Sequence, residues 1–214
     1  MKKAMHVFVS TFGGIVGLMG LEHAIGEILQ GNVQQDGLFI LSWPDSPFFR
    51  ILGGEPAMTI VPNILITGIL AAIFSLMYFV GAVWYVDRKH IGLVLMILAI
   101  PMLLFGSGIF PPVLGILIGF FALRSHAMTI WVETKLSKGL QNLLAKVWPW
   151  TFAACLLSWL MMVPGVPVLS YYFSSVSNAY IFTILGCMFV FLALTALAGM
   201  ARDARVKAGM VSGF

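Results

Sequence analysis

Residues 6 to 32, HVFVSTFGGIVGLMGLEHAIGEILQGN, are the stretch that decides the fold class of the chain. This run is apolar for long enough to cross a bilayer, which takes about 20 apolar residues. Its second half nevertheless contains four polar or ionisable residues: Glu22, His23, Glu27 and Gln30. An ionisable group at membrane depth costs at least ~2.5 kcal/mol by insertion scales, so such groups face a bundle interior or a water-filled cavity by default. The stretch predicts a transmembrane helix with a functional polar face.

Small residues form a narrow stripe along the same helix at about 100° per residue; they are Gly13, Gly17, Gly20 and Ala24. His23, Glu27 and Gln30 lie on the side of this stripe, whereas Glu22 points to the other flank. Small residues let helix backbones approach closely in lipid, so we expect the stripe to pack against another helix with the polar side chains buried beside it. In the alternative, Glu27 and Gln30 extend to the lipid headgroups.

The composition is that of an integral membrane protein. Of the 214 residues, 60% are hydrophobic and only 9% are charged, whereas soluble domains contain about 25% charged residues. We expect one compact helical domain over residues 1–214. The formal net charge of +4 comes from scattered basic residues, which argues against nucleic acid as a partner because that would need a basic patch.

Apolar stretches predict an all-α integral membrane bundle of six transmembrane helices, at about 6–30, 57–86, 90–109, 111–124, 148–164 and 179–200. The fourth stretch is short, so a re-entrant hairpin with the third across GSGIFPP (residues 106–112) is an alternative. With six crossings and both termini in the cytoplasm, Arg50 is the only one of the 12 basic residues placed outside. This bias supports a multi-pass protein of the cell membrane with both termini inside.

The loops suggest two further helices. In the first external loop, Ser46 and Pro47 resemble a helix start and Gly53 with Gly54 a helix stop, which predicts a short interfacial helix. It is either a lid over the bundle mouth or an inert ledge. Residues 125–147 have apolar positions at helical spacing with lysines between them, which predicts an amphipathic connector on the inner leaflet.

The second predicted helix carries a polar line of Thr59, Asn63, Thr67 and Ser75, with Glu55 just before it. Pro62 lies within the predicted helix and predicts a kink that frees the carbonyl of Met58. Threonine and serine hydroxyls often bond only to their own helix, so part of this line has a structural alternative. Cys155 and Cys187 lack a motif and are expected to be free thiols.

Two segments, HAIGEILQGN (residues 23–32) and TIVPNILITG (residues 59–68), together resemble a family of uncharacterised polytopic membrane proteins of bacteria and archaea. In that family an H-x-x-x-E-x-x-Q-G-N exit from the first helix is followed by a T-I-x-P-N-x-x-x-T-G second helix. The resemblance implies a helical membrane fold and two motifs that act together, without supplying an activity. The matching positions are His23, Glu27, Gln30, Asn32, Thr59, Pro62, Asn63 and Thr67.

Three functions are compatible with these residues. The leading hypothesis is an outward-facing polar pocket between helices 1 and 2 that binds or transports a small polar solute or a cation. The ligand-binding residues would be His23, Glu27, Gln30, Asn32, Glu55, Thr59, Asn63 and Thr67.

The second hypothesis is a non-catalytic accessory or scaffold subunit, whose partner is another membrane protein or a second copy of the chain. The third is a membrane-embedded metal-dependent enzyme in which His23 and Glu27, spaced i, i+4, bind a metal ion, with Glu55 as a third ligand. No catalytic residue is predicted, and no cofactor apart from this metal ion.

Overall fold

The computed structural model describes residues 3–173, 176–207 and 209. The described part of the chain is helical apart from one small two-stranded sheet, which confirms the all-α character of the predicted fold. The helices are α1 (Lys3–Gln30), α2 (Ile64–Trp84), α3 (Ile91–Leu104), α4 (Phe110–Lys135), α5 (Lys138–Leu160), α6 (Val166–Phe173) and α7 (Asn178–Lys207). The strands are β1 (Phe39–Leu41) and β2 (Pro56–Met58).

Two compact units make up the chain. One unit is Val9–Phe120, and the other consists of Met1–Phe8 and Phe121–Phe214. The single domain expected for residues 1–214 stays a prediction. All of the residues singled out above as ligand candidates belong to Val9–Phe120.

Five helical segments in the described part of the chain are long and apolar enough to span a membrane: α1, α2, α4, α5 continued through α6, and α7. The third predicted span, α3, has only 14 residues and rises about 21 Å, less than the ~30 Å hydrocarbon core. The six-span count and the inside–outside assignment therefore stay predictions.

The second helix begins later than the expected residue 57. α2 starts at Ile64, and the side chain of Asn63 caps it by accepting a hydrogen bond from the Ile66 N–H at 3.1 Å. The expected kink at Pro62 is thus wrong, because Pro62 precedes the helix, and residues 56–58 form β2. The Met58 carbonyl accepts from the Gly106 N–H at 2.9 Å. A proline followed by an asparagine cap is a helix start, and apolar content alone concealed it.

The fourth helix is longer than the expected 111–124, and the separate connector at 125–147 is wrong. α4 continues to Lys135, and α5 begins at Lys138 with Ser137 as its N-cap. The Gln141 side chain donates to the carbonyls of Val132 and Leu136 and ties the two helix ends together. The lysines end the apolar run without ending the helical periodicity, so both helices extend beyond their apolar parts.

The last predicted spans also change their limits. The stretch 148–164 lies within α5 and a wide turn, Met161–Gly165, in which Val163 adopts an extended conformation (φ −137°, ψ 110°). The stretch 179–200 lies within α7, which continues to Lys207. Cys155 and Cys187 are free thiols, as expected.

The loop between α1 and α2 forms a β-hairpin that the sequence patterns did not predict. β1 and β2 pair antiparallel, with Ile40 opposite Ala57. The expected interfacial helix is reduced to one 3₁₀ turn, Arg50–Leu52, so that prediction is wrong. Its predicted stop is confirmed, because Gly53 ends the turn in the left-handed conformation at φ 68°.

The glycine stripe of α1 packs against α2, as expected. A Cβ on Gly17 would lie 2.9 Å from the Phe79 Cα, and one on Gly68 would lie 2.9 Å from the Ile28 backbone nitrogen. These positions must therefore be glycine for the two backbones to approach so closely. Tyr78 donates to the Gly115 carbonyl at 3.0 Å and connects α2 to α4 within the same unit.

The pattern of exposure on α2 is inverted relative to a soluble protein. Its buried face carries small or polar residues, including Thr67, Ala71 and Ser75, each with 0% exposure. Its outer face presents Ile66 and Leu76, each about half exposed. Large apolar side chains on the outside are what lipid solvates well, and this supports a membrane protein independently of mean hydropathy.

In the other unit, α5 and α7 pack in antiparallel fashion, since Arg202 donates to the Ala145 carbonyl and Gly199 lies beside Trp148. The Asp203 carboxylate accepts from the backbone N–H groups of Ala4 and Met5 at 2.9 and 3.2 Å. It therefore caps the first turn of α1, where a negative charge is favourable.

Candidate functional site

The candidate site lies in Val9–Phe120, where α1 ends and the β-hairpin folds back over it. Gln30, on the last turn of α1, donates to the carbonyls of Leu41 and Ser42 at 3.0 and 2.9 Å. The hairpin ladder continues past β1, since the Ser42 N–H donates to the Glu55 carbonyl at 3.0 Å. This register places Ser42 and Glu55 opposite each other above α1.

The His23 imidazole bridges these two opposing residues. Its Nδ1 lies 2.9 Å from the Ser42 hydroxyl, and its Nε2 lies 2.8 Å from Oε2 of Glu55. The Ser42 hydroxyl in turn donates to Oε1 of Glu27 at 3.0 Å. Glu55, His23, Ser42 and Glu27 thus form one hydrogen-bonded chain.

Glu22 joins the same group, although the helical wheel assigned it to the other flank. One ligand atom each from Glu22, His23 and Glu55 lies within 4.8 Å of the others. The loop reaches across the end of α1 and brings Glu55 to the side on which Glu22 projects. We call Glu22, His23, Glu27, Ser42 and Glu55 the acidic cluster.

Four of the five members of the acidic cluster are buried, and Glu22 is partly exposed. Glu27 and Ser42 have no exposed surface, and His23 and Glu55 are 4% and 8% exposed. Two carboxylate oxygens, Oε2 of Glu27 and Oε1 of Glu22, are buried without a hydrogen-bond partner. An unpartnered buried carboxylate oxygen costs free energy, and such exceptions in a folded protein call for a reason.

The turn after α3 fits closely against the acidic cluster. Gly106 and Gly108 have φ values of 94° and 77°. A Cβ on Gly106 would collide with the Glu27 carboxylate, and one on Gly108 would collide with the His23 ring. Between them, Ser107 is fully buried and its hydroxyl lies 3.0 Å from that of Ser75. Glycine is required at both positions by conformation and by space.

Glu55 holds an unusual backbone conformation. Its φ is 59°, and it follows Gly53 and Gly54 at φ 68° and 77°. A non-glycine residue in this left-handed region is uncommon and costs free energy. Strained residues are concentrated at functional sites, and here the strained residue supplies a carboxylate to the acidic cluster.

A second set of polar residues connects the loop to the helices, and we call it the anchoring group; it consists of Gln30, Asn32, Thr59, Asn63 and Thr67. The Asn63 Nδ2 donates to the Asn32 side-chain oxygen at 2.6 Å, in an exposed position. The hydroxyls of Thr59 and Thr67 lie 2.8 Å apart and are buried. In each of these contacts, the polar atoms are hydrogen-bonded to another residue of the protein.

The eight ligand candidates therefore separate into two sets. The structure brings His23, Glu27 and Glu55 together and places the other five in the anchoring group. Sequence patterns missed Ser42, because its position depends on the hairpin register, and they misplaced Glu22, because a helical wheel does not include the loop that covers it. Among the described residues, Glu22, His23 and Glu55 form a group that could hold a metal ion, and it shares His23 with the predicted metal pair of His23 and Glu27.

The order Ser42, His23, Glu55 resembles the arrangement of a serine nucleophile, a base and an orienting carboxylate. Two observations argue against nucleophilic catalysis by Ser42. The residue has no exposed surface, and its hydroxyl proton is donated to Glu27 and is thus not available to the imidazole. The arrangement is better suited to hold the imidazole in place than to attack a substrate.

Searches against protein-family models, curated proteins and solved structures find no match to this chain.

Proposed function

We propose that this chain is a multi-pass membrane protein whose acidic cluster binds a cation. The observation that carries the proposal is the charge of the cluster. Three carboxylates, from Glu22, Glu27 and Glu55, surround one imidazole, and His23 is the only described side chain that forms an ion pair with any of them. A cation supplies the counter-charge that this group of carboxylates needs when it is ionised, whereas an anion or a neutral solute does not.

The unpartnered oxygens support the same conclusion. Buried carboxylates without compensating partners are costly in a protein interior, and the two oxygens without a partner, on Glu22 and Glu27, both belong to the acidic cluster. A bound cation offsets that cost. The cluster is thus better described as a binding site than as internal glue.

The topology belongs to the same proposal. We place both termini in the cytoplasm of a cell-membrane protein, so that the end of α1 and the β-hairpin face outward and the cation is taken up from the outside. The support is the distribution of basic residues, with Arg50 alone in the outer loop.

The accessory or scaffold hypothesis finds support only in the anchoring group. The hydrogen bonds of Gln30, Asn63 and Thr67 are internal and connect the loop to the helices. We therefore assign these residues to structure and the acidic cluster to ligand binding. This division replaces the single pocket of eight residues.

Cation binding can be measured on the full chain in lipid nanodiscs after treatment with a chelator. A panel of Na⁺, K⁺, NH₄⁺, Mg²⁺, Ca²⁺, Mn²⁺ and Zn²⁺ should include at least one that binds the wild type. Glu27→Gln should weaken its binding at least ~10-fold, because the substitution keeps the volume and removes the charge. The matched control is Glu133→Gln in α4, which lies outside the cluster and should bind as the wild type does.

Two results would contradict the proposal. One is that the wild type binds no cation of the panel. The other is that Glu27→Gln binds as well as Glu133→Gln does while both variants fold to the same yield.

A further inference from the structure

We infer that the cation is a divalent transition-metal ion, held by Nε2 of His23 and by carboxylate oxygens of Glu22 and Glu55, with Ser42 and Glu27 as positioning residues. This inference rests on the proposed function, because it names the class of cation that the acidic cluster selects. It also assigns a role to Ser42, which no sequence pattern singled out.

The ligand atoms are close to the spacing that such an ion requires. Zn²⁺ binds imidazole nitrogen and carboxylate oxygen at about 2.0 to 2.2 Å, so tetrahedral ligand atoms lie roughly 3.4 Å apart. The three ligand atoms of Glu22, His23 and Glu55 all lie within 4.8 Å of one another, and the His23–Glu55 pair is at 2.8 Å. Side-chain rotations that open this pair by about half an ångström and close the wider separations complete the geometry.

Hydrogen-bond direction fixes which imidazole nitrogen is available. A serine hydroxyl has one proton, and Ser42 donates it to Glu27. The 2.9 Å contact between the Ser42 oxygen and Nδ1 of His23 therefore requires Nδ1 to carry a proton and donate it. In the metal-free protein Nε2 also carries a proton, because it lies 2.8 Å from the Glu55 carboxylate with which the imidazole forms an ion pair. A metal ion would take the place of that Nε2 proton and use the lone pair that it leaves.

This arrangement is the one that metal-binding histidines use. A ligating imidazole donates its other N–H to a hydrogen-bond acceptor, which sets its tautomer and its orientation. Here Ser42 is that acceptor, and Glu27 orients Ser42 in turn. Both residues are fully buried, so water does not compete for these bonds.

The donor set argues for a transition metal over a hard cation. Mg²⁺ and Ca²⁺ prefer ligand sets made of oxygen alone, whereas imidazole suits Zn²⁺ and its neighbours in the first transition row. Three protein ligands also leave a fourth coordination position for water or a solute.

Metal binding is tested on the full chain with Zn²⁺, and with Co²⁺ as a spectroscopic probe. We expect one Zn²⁺ per chain by elemental analysis, and visible absorption bands when Co²⁺ replaces it. His23→Ala and Glu55→Gln should lower the Zn²⁺ affinity by more than ~100-fold, since even positioning residues contribute ~10–100-fold. Asp45→Asn, a carboxylate loss at an exposed position of the same loop, should leave the affinity unchanged.

The positioning role has a readout that does not depend on metal. In metal-free protein labelled with ¹⁵N-histidine, Nδ1 of His23 should carry a proton in the wild type. In Ser42→Ala, Nδ1 has no acceptor and should lose its proton, so that only Nε2, which donates to Glu55, carries one. The same variant should bind Zn²⁺ ~10–100-fold more weakly, and Ser42→Thr, which keeps the hydroxyl, should restore both properties.

The outcomes separate the inference from the function on which it rests. Binding of a monovalent ion or of Mg²⁺ or Ca²⁺, with no binding of Zn²⁺, overturns the transition-metal assignment and leaves the proposed function standing. If no cation of the panel binds, both the transition-metal assignment and the proposed function are wrong. If Ser42→Ala changes neither the protonation of Nδ1 nor the Zn²⁺ affinity, the positioning role is wrong even if the metal binds.

Discussion

The acidic cluster and the anchoring group lie side by side in the same unit, yet they treat their polar atoms in opposite ways. In the anchoring group, the side chains of Asn63 and Thr67 form hydrogen bonds with other residues of the chain. In the acidic cluster, Glu22 and Glu27 each keep a buried oxygen without a partner. The comparison teaches that burial of polar residues in a membrane bundle does not by itself identify a binding site; here the buried carboxylate oxygens without a partner, grouped around one imidazole, are what point to one.

This difference makes separate predictions for the two groups. Substitutions in the acidic cluster should change cation binding more than they change stability. Substitutions in the anchoring group should do the reverse. Three substitutions test this division. They are given in order of decreasing expected loss of stability, and the first of them affects both groups.

Gly106→Ala should have the largest effect, because Gly106 touches both groups. Its φ of 94° is unfavourable for alanine, and the added Cβ would meet the Glu27 carboxylate and Cγ2 of Thr67. We expect a loss of about 2 to 4 kcal/mol in the free energy of unfolding, measured by denaturation in detergent micelles. The control is Gly186→Ala in α7, where a Cβ meets nothing within 4 Å. Equal stability of the two variants would show that the turn is not packed against the cluster as described.

Asn63→Ala should cost about 1 kcal/mol of stability, because it removes the N-cap of α2 and the bond to Asn32. Thermal unfolding should show the loss, and cation binding should be unchanged. Ser137→Ala removes the equivalent cap of α5 in the other unit and should give a loss of similar size. If Asn63→Ala weakens cation binding instead, Asn63 belongs with the acidic cluster and the division fails.

Thr67→Val should have the smallest effect, about 0.6 kcal/mol, which is the average measured for side-chain hydrogen bonds inside a membrane protein. It keeps the shape of the side chain and removes the hydroxyl that meets Thr59. Thr183→Val is the comparison, since the Thr183 hydroxyl donates to the Ala179 carbonyl of its own helix. Urea titrations of both variants against the wild type measure the difference. A Thr67→Val variant no less stable than Thr183→Val would place Thr67 outside the anchoring group.

Part of this architecture could be predicted from the sequence. The polar second half of α1 and its glycine stripe were visible, because a helix imposes a fixed period on side-chain positions. That period correctly predicted the packing of Gly17 and the burial of His23 and Glu27. The helical period thus predicted which residues share a face of α1. It did not predict which residues of other segments contact them.

The rest of the architecture could not be predicted in this way, because it depends on interactions between segments that a helical period does not describe. The β-hairpin sets the position of Ser42 through its register, which rests on backbone pairing and on Gln30. Hydropathy placed helix ends where apolar residues stop, whereas capping by Asn63 and Ser137 places them elsewhere. Reading the caps before the apolar runs would have located α2 and α5 better.

The left-handed backbone of Glu55 carries one further consequence. Glycine would adopt this conformation without steric cost, and the two preceding residues are already glycine. A glycine at position 55 would relax the chain and at the same time delete a carboxylate from the acidic cluster. Optimising this protein for robustness and preserving its chemistry therefore conflict at this single position, a trade-off that is familiar where activity depends on a strained residue.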